Sequence, residues 1–305
     1  MASSDVSVRH FDWNDAAVVA ALQQGKSPAD PAPTEDSIEA LHRWLRQPGM
    51  HPERDCFIAS EGKSPTGFAY VITEDLVRRG ILMLHMLPGS RAAQALLDQA
   101  IAHLRGMQFE VLDIDVLASD VEWRRWLAGA GLAHVRTHWH LRRESSDRVP
   151  LELPTGVSLR LAERVDSIAL TDVQNAAFTG SWGYCPNVPE EISYRMFDLP
   201  AGHPDGVVLV YEGTDEEKKL SGYCWTHQES PGEPGIVGMV GVNPERQGNG
   251  LGRVATTAGI NHLIEVGATP IDITVDSENT SAVRLYESLG FVMQWMSLWY
   301  QLKLG

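Results

Sequence analysis

Three glycines at alternate positions, Gly248, Gly250 and Gly252, separate an apolar run at residues 236–242 from a helix-forming run that begins at Val254. Glycine takes positive φ without a Cβ penalty and lets the backbone approach a ligand closely. This turn can therefore aim its amides, with those opening the helix, at an anion. The natural occupant is a phosphate-bearing cofactor, and the neighbouring residues exclude two kinds. A nucleoside-triphosphate loop needs Lys and then Ser or Thr after its last glycine, whereas Arg253 and Val254 follow Gly252. A dinucleotide fingerprint counted from Gly248 needs a small residue at position 253, and no βαβ unit with a ribose-binding acid follows.

The whole segment, an apolar strand, then Val242, Asn243 and Pro244, then residues 246–252, resembles the acyl-CoA pyrophosphate loop of the GNAT superfamily of N-acetyltransferases. A helix over 254–267, a strand over 270–275 and the run 276–291 follow, and that run resembles the family's closing signature. The resemblance implies acetyl-CoA as co-substrate. Its pyrophosphate would sit on Gln247, Gly248, Asn249, Gly250, Leu251, Gly252 and Arg253. Its pantetheine arm would lie along Met239, Val240 and Val242, where two strands splay apart, and Asn279 and Arg284 on the closing helix would also contact it. The same resemblance puts Tyr286 beside the thioester sulfur as general acid. Spacing alone offers another reading, because Ala282, Leu285, Tyr286 and Leu289 form an i, i+3, i+4, i+7 apolar stripe that buries Tyr286 as core.

Amide formation adds further requirements. An alkyl amine, with a free pKa of roughly 10, must lose a proton before it attacks a thioester, and the developing oxyanion needs a donor. The amide of Met239 or Val240 is the expected donor. The candidate bases are His227, which ends a predicted strand, and Glu233, with Glu229, Glu190 and Glu191 nearby. The tandem organisation described next, the run 175–178, Trp225 with Thr226, and the run 240–244 resemble the mycothiol synthase branch. That branch carries an acidic catalytic residue eight residues before the proline, where this chain has Ile236. Residues 175–186, with Phe178, Trp182 and Tyr184, would wall the acceptor pocket in the family, or simply cover the core.

The elements that must position these groups occur twice. Residues 111–116 parallel 270–275 at an offset of 159 residues (272 less 113), and residues 125–132 parallel 284–291 at the same offset. Ser7, Val8 and Arg9 likewise match Ser158, Leu159 and Arg160. The expected architecture is α/β, two tandem GNAT folds, each a twisted mixed sheet flanked by helices. The expected limits are 1–147 for a degenerate N-terminal copy and 153–305 for an active C-terminal copy, joined through the polar, proline-containing stretch 142–155. The first copy has Leu127 where the second has Tyr286, and it lacks three residues between Pro88 and the next strand, so it is expected to serve as scaffold.

Composition sets the outer bounds. A chain of 305 residues, 43% hydrophobic, can bury a full core, and its length is that of about two domains. A net charge of −15 argues against nucleic-acid or anionic-membrane partners and suits a cationic amine, or solubility alone. Cys56, Cys185 and Cys224 lack metal-ligand spacing and are odd in number, so neither metal nor disulfide is expected. The opening residues show no leader, and a cytoplasmic monomer or homodimer is expected. The expected function is acetyl transfer from acetyl-CoA to a primary amine of a small molecule by direct attack on the thioester. The competing readings are a mycothiol synthase-like activity, a noncatalytic acyl-CoA sensor, and acylation of a protein terminus or lysine.

Overall fold

The computed structural model describes residues 6–27, 33–199, 206–214, 217–229 and 232–305. Residues 1–5, which carried the expectation of no leader, lie outside them. The chain falls into two compact units whose limits are not contiguous in sequence. The first comprises Met1–Val116, Asp120–Val135 and Trp299–Gly305, the second Leu117–Ser119 and Arg136–Leu298.

The first half of the chain runs β1 (Val6–His10), α1 (Ala16–Gln23), α2 (Glu35–Leu45), α3 (Pro52–Asp55), β2 (Cys56–Glu61), β3 (Ser64–Glu74), β4 (Arg79–Met86), α4 (Ala92–Gly106), β5 (Val111–Leu117), α5 (Val121–Gly129) and β6 (Ala133–Arg143). Strands β1 to β5 follow one another in order across the sheet of the first unit. Phe11, Val19, Leu22, Leu41, Leu45, Ile58 and Phe68 form its core against α1 and α2. The fifteen-residue α4 is the crossover that makes β4 and β5 parallel.

The second half repeats this order: β7 (Val157–Leu161), α6 (Ser167–Phe178), α7 (Pro189–Phe197), β8 (Val207–Glu212), β9 (Lys219–Gln228), β10 (Gly235–Val242), α8 (Leu251–Glu265), β11 (Ile271–Asp276), α9 (Thr280–Ser288) and β12 (Val292–Lys303). Helix α8 also has fifteen residues and starts 159 residues after α4 (251 less 92), and α9 follows α5 at the same offset (280 less 121). Pro244 follows Pro88 by only 156, so the three-residue deficit of the first copy falls in the turn ahead of its helix. Sequence spacing started α8 at Val254; the helix starts at Leu251, because the left-handed Gly250 ends the turn and the next residue is already helical.

In the second unit the strand order is β6, β11, β10, β9, β8, β7. Its own last strand is β6, which comes from the first half of the chain and pairs antiparallel with β11 over six residues, Ile271 with Arg143 through Asp276 with His138. Residues 299–303 of β12 serve the first unit in return, where Gln301 Nε2 donates to Asp113 Oδ1 at 2.9 Å and Leu304 N to the carbonyl of Glu110 at 2.8 Å. The main core of the second unit lies between its sheet and α8 and α9, and includes Leu141, Val237, Leu251, Ile260, Ile271, Ile273 and Tyr286. Helix α8 sits close on β9 because residue 259 is glycine: a Cβ there would fall 2.2 Å from Cys224 Sγ. A second core, with Leu170, Ile192, Leu209 and Tyr223, lies under α6 and α7.

Candidate active site

Helix α8 opens at Gly250, which has φ +81°, and no side chain caps it. The first amides of an α-helix have no intrahelical partner, and the aligned peptide dipoles make that end positive. Gly248 also has φ +81°, and a Cβ at either residue would meet nothing within 4 Å, so both glycines are required by backbone conformation and face open space. At Gly252, in the first turn, a Cβ would make only ordinary contacts of 3.9 Å with Leu285 and Val242. The protein alone does not demand glycine there, and the absence of a side chain leaves room for a ligand to approach the backbone. Around the turn, Gln247 Nε2 donates to the carbonyl of Val242 at 3.2 Å, and Arg253 reaches Ser288 Oγ at 3.2 Å. Leu251 points its side chain into the core and leaves only its backbone to the turn. This terminus suits the diphosphate of a CoA.

In the first unit the same helix end is filled from within. The carboxylate of Glu61 accepts from the amide of Arg91 at 2.8 Å and from Ser90 Oγ at 3.1 Å, while Ser90 Oγ accepts from the amide of Ala92 at 3.1 Å. The Arg91 amide bond holds the Glu61 carboxyl below its ordinary pKa, so it stays anionic. A built-in anion occupies the place that α8 leaves open.

Beyond the turn, β10 and β11 part. Their parallel pairing covers only Gly235–Val237 against Ile271–Ile273, and the register of β10 on β9 shifts between Val237 and Met239. A bulge therefore falls at Gly238, where the pairing with β11 ends. The corresponding β4 of the first unit pairs with β3 over eight residues without a shift. The gap opens into a cavity of about 410 Å³. Val237, Gly238, Met239 and Val240 line one wall, residues 273–276 of β11 another, and Glu278, Asn279, Ala282 and Tyr286 a third. Asn279 Oδ1 caps α9 by accepting from the amide of Ala282 at 3.2 Å. Tyr286 both packs in the core and lines the cavity, so the two readings of its stripe are compatible. Burial pushes its phenol well above the usual tyrosine range, and among the described residues no group hydrogen-bonds to its hydroxyl. Arg284 lies on the exposed side of α9.

The remaining wall is polar and aromatic. Phe178, Gly180, Ser181 and Trp182 come from the end of α6 and the loop after it; Tyr184 is not among the lining residues. Asn175 pins that loop, donating to the carbonyl of Asn187 and accepting from its amide, each at 2.9 Å. Arg136 and His138 of β6 complete the lining. Arg136 pairs with Asp276 at 2.8 Å and Glu278 at 2.6 Å. His138 meets Trp182 edge-on at 5.9 Å between ring centroids.

His227 and Glu233 are not part of this lining. The ring of His227 lies over Gly238, where a Cβ would fall 3.1 Å from its Cε1, and burial lowers its pKa from the ordinary value against a smaller opposing effect of Glu229. Glu233 is exposed in the turn between β9 and β10, its carbonyl accepting from Gln228 Nε2 at 2.6 Å. Sequence reasoning missed Arg136 and His138. One signal for them existed, the alternation of Arg136, His138, His140 and Arg142 along one strand, but it came from the wrong half of the chain.

The loop gives a direct test. Aspartate tolerates left-handed backbone better than most residues, and an anion near a helix N-terminus is stabilising in its own right. Gly250→Asp should therefore lower stability by only about 1–2 kcal/mol, the strain of a Cβ at φ +81°, and leave a folded protein whose Kd for acetyl-CoA is raised at least tenfold, about 1.4 kcal/mol, by like-charge repulsion at the pyrophosphate position. Calorimetric titration and thermal unfolding check the two halves separately.

Comparison with known proteins adds the following. The model of the Acetyltransferase (GNAT) family matches residues 169–291. A mycothiol acetyltransferase of Actinosynnema mirum is 34% identical over 267 residues, 83% of this chain and 84% of that protein. One from Thermobispora bispora is 36% identical over 190 residues, and there the match spans only 58% of this chain and 61% of the relative. A tandem GNAT protein from the clavulanic acid biosynthesis pathway superposes with a TM-score of 0.73 at 17% identity, covering 99% of each chain, which speaks to fold alone.

Proposed function

Because the chain belongs to the GNAT family of acetyltransferases, we propose that it moves the acetyl group of acetyl-CoA to a primary amine of a small molecule, with the chemistry in the second unit. The observation that carries this reading is the uncapped N-terminus of α8, continuous through β10 with the gap where Tyr286 lies. When bound, the thioester supplies an activated acyl carbon. The amides from Gly248 to Arg253 hold the diphosphate, and the free edge of Met239–Val242 offers its backbone groups to the pantetheine amides. A backbone amide at Met239 or Val240 stabilises the oxyanion. Tyr286, kept protonated by burial, gives its proton to the departing thiolate.

The first unit acts as a scaffold. Its turn is three residues shorter and its helix terminus is already neutralised by Glu61. Acetyl transfer in mycothiol synthesis is favoured as the specific reaction by the relatives' names and their coverage, and it requires a base other than the one lost at Ile236.

Calorimetric titration with acetyl-CoA, followed by thiol release with a panel of amino sugars, amino-acid amides and polyamines, tests the proposal. We expect one binding event per chain and thiol release that depends on amine. Binding without amine-dependent release would instead support a sensor, and acetylated peptides by mass spectrometry would move the acceptor to protein.

A further inference from the structure

We propose that His138, carried on the strand that the first half of the chain lends to the second unit, is the general base that deprotonates the acceptor amine. The inference rests on the acetyltransferase reading and adds the residue that reading lacks. His138 lines the same cavity as Tyr286, Met239 and Val240. His227 and Glu233 do not line it, and position 236, next to His227 and Asp272 in the sheet, carries an isoleucine.

The neighbouring imidazole on the same strand face, His140, does not line this cavity. His140 bonds Ser297 Oγ at 3.1 Å through Nε2 and Thr274 Oγ1 at 3.0 Å through Nδ1, and its ring stacks on Trp295. Burial, and after it His138, push His140 down to about 4, so it stays neutral at working pH. The charged and titratable groups facing His138 are Arg136 and His140 on its own strand, Asp276 on β11, Glu278 in the loop before α9 and Tyr286 on α9. Arg136 binds both carboxylates and cancels much of their charge. Trp182 stands edge-on to the imidazole.

The step balances as follows. A ring nitrogen of His138 takes one proton from R–NH₃⁺, directly or through one water. The neutral nitrogen forms the C–N bond to the acyl carbon, and the C–S bond breaks with its electron pair leaving on sulfur. Tyr286 protonates the thiolate and recovers a proton from the amide nitrogen, so the products are the amide, the free thiol, and one proton that His138 returns to solvent.

The test compares wild type, His138→Ala and His138→Gln for acetyl-CoA affinity and for the pH profile of kcat/KM toward the best amine of the panel. For both variants we expect kcat/KM to fall at least 100-fold, acetyl-CoA Kd to stay within twofold, and the acidic limb of the profile to vanish. Added imidazole should restore the rate of His138→Ala at least tenfold, which a merely structural histidine would not permit. A wild type that turns over while either folded variant keeps the acidic limb and a third of the rate overturns the assignment and leaves the transferase reading intact. A wild type that binds acetyl-CoA without amine-dependent thiol release overturns both.

Discussion

Tyr286→Phe is expected to lower kcat about 100- to 1000-fold, the usual contribution of a positioned general acid, while leaving acetyl-CoA affinity and stability almost unchanged. The two effects separate because the ring and the hydroxyl have different partners. The ring is 7% exposed and packs among Val283, Leu289 and Phe291, with the Phe291 ring centroid 6.1 Å away. Phenylalanine keeps that packing. The hydroxyl bonds no described residue, so its removal strands no buried partner, and the stability change should stay within about 0.5 kcal/mol. Tyr286→Ala, by contrast, should cost about 3–5 kcal/mol through the cavity it leaves. A Tyr286→Phe enzyme at the wild-type rate would reduce Tyr286 to core. The sign of the pH effect follows from the raised phenol: an acid must be protonated to act, so the alkaline loss of kcat due to Tyr286 lies above the ordinary tyrosine value of about 10.

A chain cut to begin at residue 148, near the boundary that the linker suggests, is expected not to fold. It would lack β6, and with it the six-residue ladder on β11, leaving the buried Ile271 and Ile273 on an open edge. Leu141 would leave the core. Arg143, whose guanidinium donates to the carbonyls of Leu289 and Asp147 and to that of Ser145, would no longer tie the end of α9 to the strand. A net value of about 1 kcal/mol per lost hydrogen bond, with a few more for Leu141, reaches the scale of a domain's whole stability, about 5–15 kcal/mol. Circular dichroism should show no cooperative transition, and calorimetry no heat with acetyl-CoA. A fragment extended back to residue 136 should regain both. Cooperative melting of the shorter fragment would show that the borrowed strand is dispensable.

The glycine turn was legible because its requirement is local. Only glycine sits at φ +81° without strain, and Gly248 and Gly250 both do so. The repeat was legible for a similar reason, since helix lengths and strand spacing are carried by short-range periodicity, and the 159-residue offset holds between α4 and α8 and between α5 and α9. The start of α8 was misjudged by three residues, because glycine and arginine in a first turn look like loop until the backbone is seen to be helical. Glu61 carried no signal at all. It lies thirty residues before Arg91, and only the folding of β2 beside the start of α4 turns it into an internal anion.

The cavity lining shows where local reading stops. The sequence puts His227 at a strand end and Glu233 ahead of the next strand, near the expected cleft, whereas His138 reaches the cavity from a strand about 110 residues before the glycine turn (248 less 138). From the chain alone follow the fold type, its duplication, and the left-handed glycine turn ahead of α8, all properties of backbone conformation and period. Only the tertiary structure decided that the last strand of each copy serves the other, that one helix terminus is filled and the other open, and which side chains share the cavity with Tyr286. Those depend on strand pairing, where partners far apart in sequence are chosen by the burial of whole faces, and a shift of one residue would turn His138 to the opposite side of the sheet.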